Sequence, residues 1–161
     1  AGDVISTART AIGAEETAPE LWDRLARLGG ELLVETIPHL ADGTASRTPQ
    51  DESAFTYAPM LTKAMSPVDW SRPAGAIHCQ IRGLQPWPCA IAEIDGRSCK
   101  LFRSVIGGET AAAPGTILRA DKRGIEIACG DGRSLRILEL QGEGGKRMNA
   151  ASYLNGHPIQ L

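Results

Sequence analysis

The residues with the clearest chemical potential are two adjacent cations in a glycine-rich loop. Lys146 and Arg147 stand near the end of residues 141–148, which contain three glycines. The segment lacks the G-x-x-x-x-G-K-[ST] spacing with which a loop cradles nucleotide phosphates. Two cations on a flexible loop suit contact with a phosphate backbone, and a solvated loop is an equally compatible interpretation.

The cysteines and histidines lack the spacing of a metal or catalytic site. The four cysteines form no Cys-x-x-Cys pair, so the sequence predicts neither zinc nor a redox pair, but free and mostly buried thiols in a reducing cytosol. His39 and His78 fall in helical patterns and His157 in a tail, and none stands in a motif with both Asn and a carboxylate. We therefore predict no metal ion and no catalytic residue in this chain.

A run of short strands must position the cations. Asp95-Gly96 separates residues 87–94 from 97–105, and this pair tolerates the positive φ angles of a tight hairpin turn. Further strands are predicted at residues 115–120, 124–130 and 133–140. Short strands leave edges that must be closed or covered, so the pattern predicts a five-stranded barrel that resembles an OB-fold.

The hairpin turn also predicts which side chains face inward. With a two-residue loop the opposite pairs are Ile94 with Arg97, Ala92 with Cys99, and Ala90 with Leu101. That face looks inward, apart from Arg97 at the turn. Lys100 and Glu93 lie on the other face, so we expect them to reach solvent or a partner.

The first part of the chain carries a different pattern. Residues 4–12 alternate loosely, which indicates a strand, and Thr17 to Glu20 form a capping box that opens an amphipathic helix. Residues 44–72 gather Thr, Pro, Ser and acids, the composition of a linker. This stretch also holds apolar side chains, so we expect it to pack on a domain; they are Phe55, Tyr57, Met60, Leu61, Met65 and Trp70.

The charge is distributed unevenly. Six Lys and Arg against eleven Asp and Glu give residues 1–73 a net charge of −5, while eleven against eight give residues 74–161 a net charge of +3. A nucleic-acid-binding domain joined to another unit has this asymmetry, and chance scatter also produces it. No apolar run approaches the roughly 20 residues of a membrane span. We therefore expect a cytoplasmic protein without a membrane segment.

Several segments, in order and over nearly the whole chain, resemble the C-terminal half of methionyl-tRNA formyltransferase. The more specific motifs are Pro86-Trp87-Pro88 and the segment Ala-Pro-Gly-Thr-Ile-Leu at 113–118. Weaker matches are Val68-Asp69-Trp70-Ser71 and Gly145-Lys146-Arg147-Met148. That family transfers a formyl group from 10-formyltetrahydrofolate to the amino group of methionine on initiator tRNA.

The resemblance implies an α+β fragment of a longer enzyme. The family's N-terminal domain is Rossmann-like, carries a catalytic Asn, His and Asp, and is followed by an OB-like barrel that helps to hold tRNA. Residues 1–43 would then be the last strand and helix of the catalytic domain, 44–72 the linker, and 73–161 the barrel domain. Gly2 and Asp3 would flank the active site, whose catalytic residues are expected upstream of Ala1.

The resemblance also implies the partners and the binding residues. The partners are initiator methionyl-tRNA and the missing catalytic half; 10-formyltetrahydrofolate is the cosubstrate of the whole enzyme, and this fragment is expected to bind no cofactor and to be inactive alone. The expected tRNA contacts are Lys63, Arg82, Lys100, Lys122, Arg123, Lys146 and Arg147. For Lys122 and Arg123, a solvated turn is an alternative explanation.

Two other interpretations remain open from the sequence. The chain is also compatible with a free-standing RNA-binding or structural module without catalysis. It is equally compatible with the C-terminal part of a related formyltransferase, one that acts on an amino sugar nucleotide or hydrolyses the formyl donor.

Overall fold

The computed structural model of the chain describes residues 2–161, which fall into two compact units. The first unit runs to Met60, and the second comprises Leu61–Leu161. The division lies inside the stretch 44–72, whose composition indicates a linker.

The first unit is built on one long helix, α1 (Ala18–Ala41). Its start is fixed as predicted, because the Glu20 carboxylate accepts hydrogen bonds from both the backbone N–H and the hydroxyl of Thr17, each at 2.8 Å. Arg24 ties the preceding loop to the helix through an ion pair with Glu16 at 2.7 Å. No residue of α1 is buried.

Two segments outside the sheet differ in part from the expectations drawn from the sequence. Residues 4–12 form no strand; Val4 makes a single isolated bridge with Thr48, with N–O distances of 2.8 and 2.9 Å. A strand needs neighbouring strands to persist, and none lies beside this segment among the described residues. Phe55, Tyr57 and Met60 are exposed, as single apolar residues commonly are on surfaces, whereas Trp70 packs against the core of the second unit. The expectation that residues 44–72 pack on a domain is therefore met by their later part only.

The second unit contains an antiparallel sheet. Its strands are β1 (Ala90–Ile94), β2 (Arg97–Glu109), β3 (Ile117–Asp121), β4 (Gly124–Ala128), β5 (Arg133–Gly142) and the short β6 (Met148–Asn149). The sequence predicts the first five of these strands, with shifted ends, and misses β6.

The order of the strands is β1-β2-β5-β4-β3, and β6 pairs with β5. Three consecutive strands joined by hairpins, with β2 beside β5, form a Greek key. Among residues 2–161 no ladder joins β1 to β3, so the sheet is open and the closed five-stranded barrel is not observed. The free edge of β1 is instead covered by a parallel bridge between Pro67 and Ile91.

The predicted register of the first hairpin is confirmed. Asp95 and Gly96 have φ values of 49° and 72°, which makes the two-residue turn, and Ala92 pairs with Cys99. The inward face is buried and the outward Lys100 and Glu93 are exposed. One turn therefore decides which face of β1 and β2 carries charge.

Two short helices flank the sheet, α2 (Ala74–Gly83) and α3 (Ala150–Gly156). Ile77 and Ile81 of α2 are fully buried in the core beside Leu101 and Leu135. His78 of the same helix is also buried, and its Nδ1 lies 2.9 Å from Ser104 Oγ. A polar side chain tolerates this position because strand β2 supplies a hydrogen-bonding partner.

The turn before β5 approaches the segment before α2 too closely for any side chain. The Gly130 N–H donates to the Arg72 carbonyl oxygen at 3.0 Å, and a Cβ at Gly130 would stand 1.6 Å from the Ser71 carbonyl oxygen. Glycine is therefore required here to hold residues 71–72 against the sheet.

We predict that Gly130→Ala lowers the free energy of unfolding by about 1–3 kcal/mol, because the backbone must move to admit the methyl group. Gly75→Ala is the control, since its Cβ meets no atom within 4 Å, and it should leave stability unchanged or raise it by up to about 1 kcal/mol. Urea unfolding measures both, and equal stability of the two variants would contradict the prediction.

Alkaline conditions should destabilise the chain through its buried thiols. Burial raises the pKa of Cys129 from 9.0 to about 11, so between these values the unfolded thiol ionises while the folded one stays neutral. The stabilisation is complete below pH 9 and is lost as the pH rises toward about 11. Unfolding free energies measured across this window should fall less for Cys129→Ala than for Cys79→Ala, whose thiol is exposed.

Candidate nucleic-acid interface

Three of the predicted phosphate contacts lie along one surface of the second unit. Lys63 and Lys100 line a cavity of about 630 Å³, Lys100 also lines one of about 300 Å³, and Lys146 lines one of about 280 Å³. The three cavities share Ser98. We call Lys63, Lys100, Lys146 and Ser98 the lysine surface.

Strand pairing places Lys100 at the centre of the lysine surface. In the register of the sheet Lys100 lies opposite Ile91 on one side and opposite Gln141 on the other. Because side chains alternate between faces along a strand, this row points away from the buried residues Cys99 and Leu101. The ammonium group is thus carried outward on a strand that is paired on both sides.

Lys63 is brought to the same surface by backbone hydrogen bonds. It begins a 3-10 turn (Lys63–Met65), after which the Val68 N–H donates to the Ile91 carbonyl oxygen at 2.8 Å and the Ile91 N–H to Ser66 at 2.7 Å. From α2, the Gln80 side-chain amide donates to the carbonyl oxygens of Met65 and Pro67, at 2.9 and 3.0 Å. The segment is therefore fixed on β1.

The lysines differ from several arginines of the chain in having no acidic partner. Within residues 2–161, Lys63, Lys100 and Lys146 make no ion pair, whereas Arg136 pairs with Glu126 at 3.0 Å. Hydrogen bonds from Ser134 and Arg136 lower the pKa of Glu126, so that pair stays charged within the sheet. The same three cavities are also lined by Arg97, Glu93 and Glu143, so that four cations stand against two acids and leave an excess of two positive charges.

Arg147, adjacent to Lys146 in the sequence, is held by the protein itself. Its guanidinium forms an ion pair with Glu139 and lies over the Phe102 ring, with Cζ 4.5 Å from the ring centroid. These contacts cover Phe102 and link the loop to the sheet. The side chain is half exposed, so it retains an open side.

The remaining predicted contacts are not on the lysine surface. Arg82 is half-buried on α2 and its Nη2 lies 3.4 Å from Cys79 Sγ. Lys122 and Arg123 are exposed in the turn from β3 to β4, where the Arg123 N–H donates to Asp121 Oδ1 at 2.7 Å. The strand order puts that turn at the opposite end of the sheet path from β1.

Gly2 and Asp3 lie in the first unit and are exposed. The Gln50 side-chain amide donates to the Gly2 carbonyl oxygen at 2.7 Å, next to the bridge between Val4 and Thr48. This arrangement holds the start of the described chain in place through its backbone.

The sequence analysis missed Trp87 as a surface residue. It is about half exposed and lines the same cavity as Lys63 and Lys100. The sequence does contain an indication: Trp87 lies between two prolines, which have no backbone N–H to donate, so this segment cannot be a regularly paired strand inside the sheet.

No group of three or more His, Cys, Asp or Glu side chains within the described range is placed to hold a metal ion. None of the helices in that range is both long and apolar enough to cross a membrane.

Comparison with known proteins identifies the family of the second unit. Residues 60–158 match the family described as "Formyl transferase, C-terminal domain". The chain therefore belongs to the formyl transferases and carries their C-terminal domain.

The chain matches the C-terminal half of proteins named methionyl-tRNA formyltransferase. It is 47% identical to the one from Trichlorobacter lovleyi, over 99% of this chain and 50% of that protein. It is 43% identical to the one from Macrococcus caseolyticus, over 100% of this chain and 51% of that protein. The chain thus spans about half the length of the curated relatives that it matches.

Solved structures share the fold at lower identity. HypX from Aquifex aeolicus, as a four-substitution variant, superposes with a TM-score of 0.69 at 19% identity, over 95% of this chain and 28% of that one. An N-formyltransferase from Helicobacter canadensis, crystallised with folinic acid and dTDP-3-aminofucose, gives 0.66 at 17% identity, over 84% of this chain and 49% of that one.

The two neighbouring cations should separate stability from binding. We predict that Arg147→Ala lowers the free energy of unfolding by about 0.5–1 kcal/mol, because it removes an ion pair and a cation–π contact that are partly exposed. Lys146→Ala also removes one positive charge, but from a side chain that has no acidic partner, and should leave the free energy of unfolding unchanged. Chemical denaturation measures both, and equal effects would show that the Arg147 contacts do not stabilise the fold.

Proposed function

We propose that this chain is the tRNA-binding portion of a methionyl-tRNA formyltransferase. The whole enzyme would transfer a formyl group from 10-formyltetrahydrofolate to the amino group of methionine on initiator tRNA. The observation that carries the proposal is the lysine surface, where three ammonium groups without acidic partners lie along neighbouring cavities. The names and extents of the relatives support the choice of enzyme.

The catalytic step is assigned to the rest of the enzyme. Attack of an amine on a formyl donor requires a group that accepts or orients a proton, and donors for the developing oxyanion. We assign the catalytic Asn, His and Asp to the half of the relatives' sequences that this chain does not match. Gly2 and Asp3 would lie beside that catalytic site. On this proposal, residues 1–161 alone do not catalyse the reaction and bind no folate.

The same proposal interprets the two units. Residues 1–43 would be the last strand and helix of a Rossmann-like catalytic domain, whose sheet would pair with residues 4–12 and cover α1. Residues 44–72 would be the linker. Residues 73–161 would be an OB-like domain. The Greek-key order of β1 to β5 supports this assignment, because the OB-fold is a five-stranded, partly open Greek-key barrel.

Binding would use the phosphate backbone of tRNA more than its bases. A-form RNA hides base edges in a deep, narrow groove, so proteins recognise its shape and phosphates. Lys63, Lys100 and Lys146 are free to approach phosphates directly. Arg82, Lys122, Arg123 and Arg147 would add contacts beyond the lysine surface.

The experiment is fluorescence anisotropy of labelled initiator tRNA with this chain, from about 50 to 200 mM salt. Binding should weaken with salt, and Lys63→Ala/Lys100→Ala should flatten the slope of log affinity against log salt by about 2, one unit for each phosphate that the variant no longer neutralises. Arg27→Ala/Arg47→Ala removes the same charge from exposed positions in the first unit and should leave the slope unchanged. Absence of binding even at low salt would contradict the proposal.

A further inference from the structure

The cavity between Lys63 and Lys100 contains a feature that phosphate binding does not use. The Trp87 side chain lines it and is 52% exposed, which leaves much of a large aromatic ring in contact with solvent. Burying an aromatic ring of this kind is strongly favourable. Because this ring lines a cavity together with two lysines, it offers an apolar surface that a ligand could cover.

The cavity has an apolar interior and a polar rim. Besides Trp87 it is lined by Pro67, Val68, Pro88, Ile91 and Ala92. Lys63, Lys100, Glu93, Ser66 and Ser98 supply the polar groups. A ligand that fits must combine a flat apolar body with negative charge at its ends.

The walls of the cavity are held in place before any ligand binds. On one side the backbone of Ser66 and Val68 is hydrogen-bonded to Ile91, and on the other β1 and β2 are paired throughout. The Cys89 N–H donates to the Leu84 carbonyl oxygen at 2.9 Å, which anchors the segment after Trp87. A preformed site binds without the cost of ordering its walls.

We propose that this cavity accepts one unpaired nucleotide of RNA, with its base stacked on Trp87 and its flanking phosphates on Lys63 and Lys100. The inference rests on the proposed function and deepens it. The proposed function has the lysine surface bind the phosphates of helical RNA, and the inference adds an unpaired nucleotide as a second ligand of that surface. Proteins bind unpaired nucleotides by this combination of an aromatic platform and cations along the backbone. The two lysines against one glutamate on the rim favour a polyanion over a neutral apolar peptide.

The test uses the full chain and two fluorescein-labelled RNAs of one sequence, one single-stranded and one duplex, each about 12 nucleotides long, within the site sizes of single-strand binders. Trp87→Leu keeps an apolar side chain but removes the aromatic face. It should weaken binding of the single strand about tenfold and leave duplex binding and the salt slope unchanged, since stacking is not an ionic contact. Trp87→Phe, which keeps an aromatic ring, should restore most of the affinity.

Trp22→Ala is the matched control, because Trp22 is 53% exposed but belongs to α1 in the first unit. It should bind both RNAs like the unchanged chain. Thermal unfolding of each variant verifies that the fold is retained. If Trp87→Leu unfolds, Trp87→Met, which also removes the aromatic ring, takes its place: a loss of about tenfold on the single strand is expected, and affinity equal to that of the unchanged chain would contradict the proposal.

The outcomes separate this inference from the proposed function. Equal binding of single-stranded RNA by Trp87→Leu and the unchanged chain would overturn the stacking site, as expected if a protein segment fills the cavity, while salt-dependent tRNA binding would still stand. Equal weakening of single strand and duplex by Trp87→Leu would also overturn it. Failure of the unchanged chain to bind any RNA would reject both proposals.

Discussion

The register of the β1–β2 hairpin is the constraint on which the candidate interface depends. The turn at Asp95-Gly96 admits one pairing, and a slip by one residue would exchange the faces of both strands. In the observed register Cys99 and Leu101 enter the core while Lys100 reaches solvent. Burial of the inward face thus fixes the position of the central cation, although the cation itself contributes nothing to the core.

A second constraint connects distant parts of the chain to this hairpin. The edge of β1 would expose unpaired N–H and C=O groups, and residues 66–68 cover part of it by backbone hydrogen bonds to Ile91. The same contact brings Lys63 beside Lys100 and closes one wall of the Trp87 cavity. Protection of a sheet edge and assembly of a binding surface are therefore served by one segment.

The charges of the second unit fall into two physical classes. Arg136 and Arg147 are paired with carboxylates and stabilise the sheet and the loop, whereas Lys63, Lys100 and Lys146 have no such partner in the described part of the chain. An ion pair within the protein must be broken or shared before a phosphate binds, but an unpaired ammonium group exchanges only water and counterions. Sequence position alone does not separate these classes, as the neighbours Lys146 and Arg147 demonstrate.

Local interactions let the sequence by itself determine the hairpin register, the Thr17–Glu20 helix start and five of the strands, because each depends on residues close in the chain. The sequence motifs also indicated the family. Only the tertiary structure decided that the sheet is open, that His78 is buried, and which cations lack partners. It alone brought Trp87 into one cavity with Lys63 and Lys100. These outcomes depend on pairings between residues far apart in sequence, for which local periodicity and turn chemistry carry no information.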